Sequence, residues 1–382
     1  MNIRVLFYNV FLFLAFLSCS HDGDKEIDGS GDGSLSLRIT IPQIGTRADG
    51  DASVERLYVA VFGTSGENTD KLIVASEVTR TNTVEDLGPL KAGSIRMLVV
   101  ANAPVGTFDG LTSLEQYLAL TQQLENQETN PAMSSGVQTY LLKPGKNTIG
   151  MQTAGANQIS ASPVTVYRTA ARVYLNRLYL RPVDEYADEA AFKLESVFMA
   201  NVKSSSHYIS EQNWGTVEVT DRTQPGLFLS GEEADLDSIC KVDGIAALSD
   251  ALRTAYPYDY RSPEDETALI ANCAANTYTV FENMQEEEWH TMLIIRGSYR
   301  FKDKNGKMQE VKNTYYPVVV NRQHDTIDNV TEHRYIRRNV IYSIDVVIKG
   351  PGSNNPFDFD ATLTSKIAVQ AWGEVVENPS ID

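Results

Sequence analysis

Apolar residues fall at positions 35, 37, 39 and 41 of the run Leu35-Ser36-Leu37-Arg38-Ile39-Thr40-Ile41, with polar residues between them. A period of two buries one face of a β-strand and leaves the other wet. Pro42, which has no amide to give a sheet ladder, ends the run. Further β-prone runs occupy residues 54–62, 72–76 and 83–87. Residues 95–101 are almost continuously apolar, the pattern of a strand covered on both faces. Between 111 and 124 the spacing of Leu114, Tyr117, Leu118, Leu120 and Leu124 predicts a helix, with Thr112 or Ser113 as its N-cap. Residues 137–151 predict a hairpin turning at Lys143-Pro144-Gly145-Lys146-Asn147. A small, polar, turn-rich stretch at 153–163 marks a boundary. Beyond it lie a long β-prone run at 164–180 and strands at 190–201, 278–281, 290–301, 314–320, 339–349 and 366–376. Short helices are expected at 245–252 and 266–275. Strands dominate both parts, so the expected architecture is mainly β: two β-sandwich-like domains, 48–155 and 156–382, with a few short helices.

The first 47 residues read as processing signals. Arg4 precedes a nearly unbroken apolar run from Val5 to Leu17, too short to cross a bilayer as a helix and suited to a secretory signal. It ends in Leu17-Ser18-Cys19, which resembles a lipobox. Residues 1–18 are then the signal peptide, and Cys19 takes a diacylglycerol and becomes the new N-terminus. Residues 20–34, rich in Gly, Asp and Ser, form a flexible tether. The acidic cluster Asp22, Asp24, Glu26 and Asp28 resembles the surface-export signal of Bacteroidetes lipoproteins. After the first strand, Gly45-Thr46-Arg47-Ala48-Asp49-Gly50 is the kind of exposed, flexible stretch where proteases cut, and Arg47 is its only basic residue. A cut between Arg47 and Ala48 removes four basic residues and five acidic ones, so it changes the net charge by one unit. Its effect is topological: a strand is detached from its sheet. Residues 19–47 are accordingly the lipidated propeptide.

Charge and chemistry narrow the function. The formal net charge of −17 repels phosphate backbones and anionic membrane surfaces, which argues against nucleic acid as a partner. Besides Cys19 the chain carries Cys240 and Cys273, which either pair in an oxidising compartment or are two separately buried thiols. No cysteine or histidine has metal-ligand spacing, no nucleotide-binding or hydrolase motif is present, and neither a cofactor nor an enzymatic activity is expected. His290 follows Glu286-Glu287-Glu288-Trp289, which invites a general-base reading, but a solvated acidic turn before a strand is the preferred one. Tyr256, Tyr258 and Tyr260 alternate either as a sugar-lining face or, preferably, as a Pro-containing surface loop. Asp237-Ser238-Ile239 and Asp325-Thr326-Ile327 resemble Bacteroidetes O-glycosylation sites.

Several segments occur in a telling order: Val99-Val100-Ala101-Asn102-Ala103-Pro104, then Tyr167-Arg168-Thr169-Ala170-Ala171-Arg172-Val173. Next come Arg338-Asn339-Val340-Ile341-Tyr342 leading to Ile348-Lys349-Gly350-Pro351-Gly352, and last Ile367-Ala368-Val369-Gln370-Ala371-Trp372. With the lipobox and the lone arginine, they resemble the Bacteroidetes-type fimbrillins, subunits of type V pili. The resemblance implies transthyretin-like domains and a lipoprotein precursor at the outer membrane that later joins a fimbrium on the cell surface. It implies an Arg-specific surface protease that cuts after Arg47 and removes the strand bearing Leu35, Leu37, Ile39 and Ile41. A neighbouring subunit, another copy or a sister protein, then inserts its C-terminal strand into the open groove, a head-to-tail contact that propagates. The donor would be residues 366–376, with Ile367, Val369, Ala371 and Val375 on one face and Trp372 on the other. The alternative for this segment is that it completes its own domain. The alternative for the protein is a tip or accessory subunit, or a lipid-anchored adhesin that binds a glycan or host protein.

Overall fold

A computed structural model describes residues 31–42, 53–127, 130–209, 226–232, 247–264, 277–283, 290–321, 335–355 and 363–371. The first half holds β1 (Asp32–Thr40), β2 (Arg56–Gly63), β3 (Leu72–Thr79), β4 (Thr83–Lys91) and β5 (Gly93–Ala101). Helix α1 (Leu114–Ala119) and β6 (Thr121–Gln123) follow, then β7 (Met133–Ser134), β8 (Gln138–Leu142) and β9 (Gly145–Ile149). The short strands β10 (Asn157–Ser160), β11 (Val164–Thr165) and β12 (Tyr167–Arg168) complete it. One sheet runs β10-β9-β1-β11, with β4 also on β1, and the other runs β12-β7-β5-β2-β3, with β8 also on β5. A shared core lies between them, built from the alternating residues Leu35, Leu37 and Ile39 of β1, Leu57, Val59 and Val61 of β2, and Ile95, Met97 and Val99 of β5. The continuous apolar run of β5 is explained by its second face. Leu98 and Val100 pack with Phe62, Phe108 and Tyr117 beneath α1.

Helix α1 is shorter than its apolar spacing predicts. The backbone N–H groups of Thr112 and Ser113 both donate to the side-chain oxygen of Gln116, at 2.7 and 3.2 Å, which fixes its start at the expected cap. The hairpin expected over 137–151 is not formed. Strand β8 joins β5 while β9 joins β1 and β10, so the turn carries the chain from one sheet to the other. Gly145 takes φ +87°, and the Asn147 amide bonds both the N–H and the carbonyl of Lys143 at 2.9 Å, which sets the corner.

The second half holds β13 (Ala171–Leu180), β14 (Ala191–Ala200), β15 (Val202–Lys203), β16 (Ser205–His207), β17 (Phe228–Ser230) and β18 (Ala247–Leu248). It continues with β19 (Arg253–Ala255), β20 (Thr277–Val280), β21 (Met292–Lys302), β22 (Met308–Val319), β23 (Val340–Ile348) and β24 (Leu363–Ala371). Two four-stranded sheets, β20-β13-β23-β24 and β19-β14-β21-β22, enclose a core that includes Val173, Leu175, Phe192, Val197, Tyr316, Tyr342 and Ile344. The helix expected at 245–252 is absent among the described residues 247–252. Ala247 and Leu248 instead pair with Leu229 and Ser230, and Asp250–Leu252 forms a single 3-10 turn. The helix expected at 266–275 lies outside the described residues.

The β-prone run at 164–180 is divided among three sheets: β11 pairs with β1, β12 with β7, and β13 with β20 and β23. There residues 167–173 and 338–342 meet. The Asn339 side-chain oxygen accepts the backbone N–H of Arg168 at 3.2 Å, and the backbone N–H of Asn339 donates to the Ala170 carbonyl at 2.8 Å. Arg338, buried beside them, donates to Glu282 at 2.9 Å, to the His207 carbonyl at 2.8 Å and to the Tyr208 carbonyl at 3.2 Å. Burial lifts the Glu282 carboxyl to about 7, although Arg338 pulls the other way.

Candidate functional site

The first strand occupies an interior slot. Along one edge β1 runs parallel to β9 over five consecutive pairs, Gly33 with Gly145 through Leu37 with Ile149, and then to β11 at Ile39 and Thr40. Along the other edge it runs antiparallel to β4, from Asp32 opposite Lys91 to Arg38 opposite Thr83, with two register shifts. The Ile39 N–H donates to the Asn82 carbonyl at 2.9 Å, and the Val166 N–H donates to the Thr40 carbonyl at 3.0 Å. Leu35, Leu37 and Ile39 are 0, 0 and 2% exposed, and Ile41 packs partly buried against the same core. Burying three such side chains stabilises the fold by roughly 5–9 kcal/mol, comparable with the net stability of a whole domain.

Polar contacts fix the wet face. The Ser36 hydroxyl accepts the Asp86 N–H at 3.0 Å, and the Ser34 hydroxyl donates to the Asp86 carboxylate at 3.3 Å. At the start of the strand the slot is shallow. A β-carbon on Gly33 would stand 2.8 Å from the Gly145 carbonyl oxygen, a separation real β-carbons do not adopt, and 3.5 Å from the Asn147 amide nitrogen and the Lys143 carbonyl. Beyond Thr40 an open cavity of about 840 Å³ is lined by Ile39, Ile41, Pro42, Val54, Arg80 and Asn82. This is the end of the strand from which the chain continues toward Arg47.

If β1 is taken away, the slot has a defined chemistry. It offers a floor of aliphatic side chains and two strand edges whose N–H and C=O groups have lost their partners. An occupant must be a β-strand with apolar residues at every second position.

The other residues singled out in the sequence are placed as follows. Cys19, Arg47, Ala48, Cys240, Cys273, Trp372 and Val375 lie outside the described residues, as do the two Asp-Ser/Thr sites and Glu286 to Trp289. Ile367, Val369 and Ala371 lie on β24, which pairs antiparallel with β23, Ile367 opposite Ile344 and Ala371 opposite Val340. Among the described residues β24 has that one neighbour. The structure therefore seats the C-terminal strand at the edge of its own sheet, away from the slot of β1. His290 stacks on Tyr335 at 4.4 Å between centroids. The three alternating tyrosines differ in environment, although the rings of Tyr256 and Tyr258 stand 5.5 Å apart. Tyr256 is buried, Tyr258 is exposed, and Tyr260 donates to Glu310 at 2.6 Å with Arg300 over its ring. The buried Glu282–Arg338 pair carried no sequence signal, because its members stand 56 residues apart with nothing periodic between them.

The family profile described as major fimbrial subunit protein (FimA) matches residues 40–168, and the one described as FimA4 pilin C-terminal domain matches residues 274–372. The major fimbrium subunit FimA type-2 of Porphyromonas gingivalis is 26% identical over 396 aligned positions, covering 96% of each chain. A Parabacteroides distasonis protein provisionally named fimbrium tip subunit Fim1C is 24% identical over 410 positions, covering 99% of this chain and 100% of its own. The solved structure of a fimbrilin from Porphyromonas gingivalis W83 matches with a TM-score of 0.67 at 22% identity, covering 91% of this chain and 99% of that one. A provisionally named cell adhesion protein of Parabacteroides distasonis matches with a TM-score of 0.70 at 23% identity, covering 90% and 99%. These two structures share the fold.

Proposed function

Since this chain belongs to the Bacteroidetes-type fimbrillins, structural fimbrial subunits and not enzymes, we propose that it polymerises by exchanging its first strand for the last strand of a neighbour. Membership itself makes it a component of a cell-surface fimbrium, assembled with other fimbrial subunits. The finer reading has four steps. The precursor is exported and lipidated on Cys19. An Arg-specific surface protease cuts between Arg47 and Ala48. The strand bearing Leu35, Leu37, Ile39 and Ile41 leaves. Residues 366–376 of another subunit enter the slot.

The observation that carries this reading is the interior position of β1. It is paired on both edges and contributes three buried side chains, and in the sequence residues 41–55 link it to the next strand. A strand that completes a core and can be severed is what an exchange mechanism requires.

Purified precursor without its signal peptide should stay monomeric, and trimming it at Arg47 should drive filament formation, followed by light scattering and electron microscopy. Trimmed chains that stay monomeric at high concentration would remove the basis of the proposal. On cells, N-terminal mass spectrometry should find mature chains that begin at Ala48, and lipid on Cys19 of the precursor.

A second reading, a tip subunit that accepts a strand without donating one, is favoured by the full-length likeness to Fim1C. Deleting residues 366–382 separates the two. A stalk subunit then loses its filaments, whereas a tip subunit still caps the filaments of a partner.

A further inference from the structure

We propose that the slot dictates the direction and register of the strand that replaces β1: the incoming segment runs opposite to β1, with Gly373 at the level of Gly33. The inference rests on the strand-exchange reading above and deepens it.

The constraint comes from the closed end of the slot. An inward β-carbon at the level of Gly33 meets the Gly145 carbonyl oxygen at 2.8 Å. That oxygen is held by the Asn147 amide at 2.9 Å, and Asn147 is itself buried, so the obstruction is fixed backbone and not a movable side chain. Deeper in, positions 35, 37 and 39 require apolar residues. The occupant must therefore present glycine, then apolar residues two, four and six positions further along the slot.

Residues 365–376 read Ser-Lys-Ile-Ala-Val-Gln-Ala-Trp-Gly-Glu-Val-Val. Running in the direction of β1, every register that fills the slot fails. Ile367 at level 35 puts Ser365 on the glycine position, and Val369 at level 35 puts Ile367 there. The one same-direction register with Gly373 at level 33 drives Glu377 and Pro379 into the core. In the reverse direction one register satisfies all four positions: Gly373 at 33, Ala371 at 35, Val369 at 37 and Ile367 at 39.

The wet face agrees independently. Glu374 falls at the level of Asp32, opposite Lys91, so an acidic residue again faces that lysine. Gln370 falls at the level of Ser36, where its amide oxygen can accept the Asp86 N–H that Ser36 accepts now. Trp372 falls at the level of Ser34, where its indole N–H replaces a donor to the Asp86 carboxylate. Reversal also turns the regular β1–β9 pairing antiparallel, the more stable arrangement per residue. The β4 pairing, already broken by two register shifts, becomes parallel.

The test uses full mature chains trimmed at Arg47 and polymerised from an equal mixture of light and isotopically heavy protein. A zero-length carbodiimide joins carboxylates to amines in contact, and mass spectrometry of mixed-isotope peptides reads contacts between subunits. The expected product links Glu374 of one subunit to Lys91 of the next. Filaments that instead link Lys366 to Asp86, with no Glu374–Lys91 product, overturn the direction while leaving strand exchange intact. Chains that form no filaments overturn the strand-exchange reading and this inference with it.

Two variants check the register. Gly373→Ala should slow filament growth at least tenfold, and growth at the unaltered rate refutes the glycine match. Ala371→Leu restores the side chain that Leu35 places there, so a capping peptide of residues 363–376 with this change should inhibit growth at a concentration roughly fifty-fold lower. Equal or weaker inhibition overturns the register.

Discussion

Replacing Leu37 by alanine should weaken the precursor and leave the filament untouched. Leu37 is fully buried, and its neighbours across the ladders are Val84 and Ile149, both in the same core. Removing three carbons there costs about 2.4 kcal/mol in transfer free energy, and a cavity that neighbouring strands cannot close brings the total to roughly 2–5 kcal/mol. All of that cost falls on the seating of β1, because no other strand carries the residue. A value near 3 kcal/mol corresponds to an increase on the order of a hundred-fold in the population with the strand released. The amide of Val166 reports this directly, since it is held by the Thr40 carbonyl. Its hydrogen exchange should accelerate by about that factor in Leu37→Ala. Once Arg47 is cut and the strand has left, the substituted residue is gone, so filaments grown from the variant should match the wild type in thermal stability. Exchange at Val166 that changes less than about fivefold would show that the strand does not depend on Leu37. Filaments weakened by the substitution would show that β1 is retained in them, contrary to the exchange mechanism.

Other outcomes follow from the second half. Burial raises the Glu282 carboxyl from 4.5 to about 7, so its contribution to stability is present below pH 4.5 and is lost as pH rises to 7. The stability of the wild type relative to Glu282→Gln should therefore decline across that window in urea titrations, and a flat difference would contradict the burial argument. Arg338→Met removes the guanidinium that Glu282, Tyr208, Ser206 and His207 share, and should cost roughly 3–5 kcal/mol on the same assay. Gly352→Ala places a β-carbon 2.4 Å from the Tyr315 carbonyl oxygen, where Ser353 pairs with Tyr315, and should lower the unfolding free energy by about 1–3 kcal/mol in the same titration.

The parts of the fold that were legible in the sequence are those whose partners are implied by periodicity. The alternation of Leu35, Leu37 and Ile39 requires one buried face, and the unbroken run of β5 requires two. Both requirements are local. The corner at 143–147 resembles a hairpin turn in sequence because Gly and Asn favour a tight turn whichever strand the chain joins next. Whether β8 pairs with β9 or with β5 is decided by the facing sheet. Residues 245–252 contain helix-forming alanines and leucines, but pairing of Ala247 with Leu229 overrides a propensity of a few tenths of a kcal/mol. The slot itself was half legible. Periodicity marked which residues of β1 are inward, but the glycine-only level at Gly33 arises from a carbonyl more than a hundred residues away.

The register proposed for the exchanged strand bears on why the precursor should wait for a protease. In that register Ala371 and Val369 stand where Leu35 and Leu37 stood, and Ile367 replaces Ile39 without loss, so the donor buries four fewer carbons than the strand it displaces. At about 0.8 kcal/mol each, the resident strand is favoured by roughly 3 kcal/mol, on the order of a hundred-fold. Its covalent tether adds an effective concentration of about millimolar, far above that of any neighbouring subunit. An uncut subunit would thus exclude donors by fit and by linkage, and the donor must in addition leave its own pairing with β23. Cutting after Arg47 leaves every contact of β1 in place and abolishes only the linkage term. On the strand-exchange proposal the severed strand would then depart by dilution, and the donor, held close by the rest of its subunit, would inherit the advantage of local concentration that β1 has lost. A perfectly matched donor would threaten this order of events, since it would compete with β1 before the cut. On the proposed register, an undersized Ala371 at the level of Leu35 would keep assembly dependent on proteolysis.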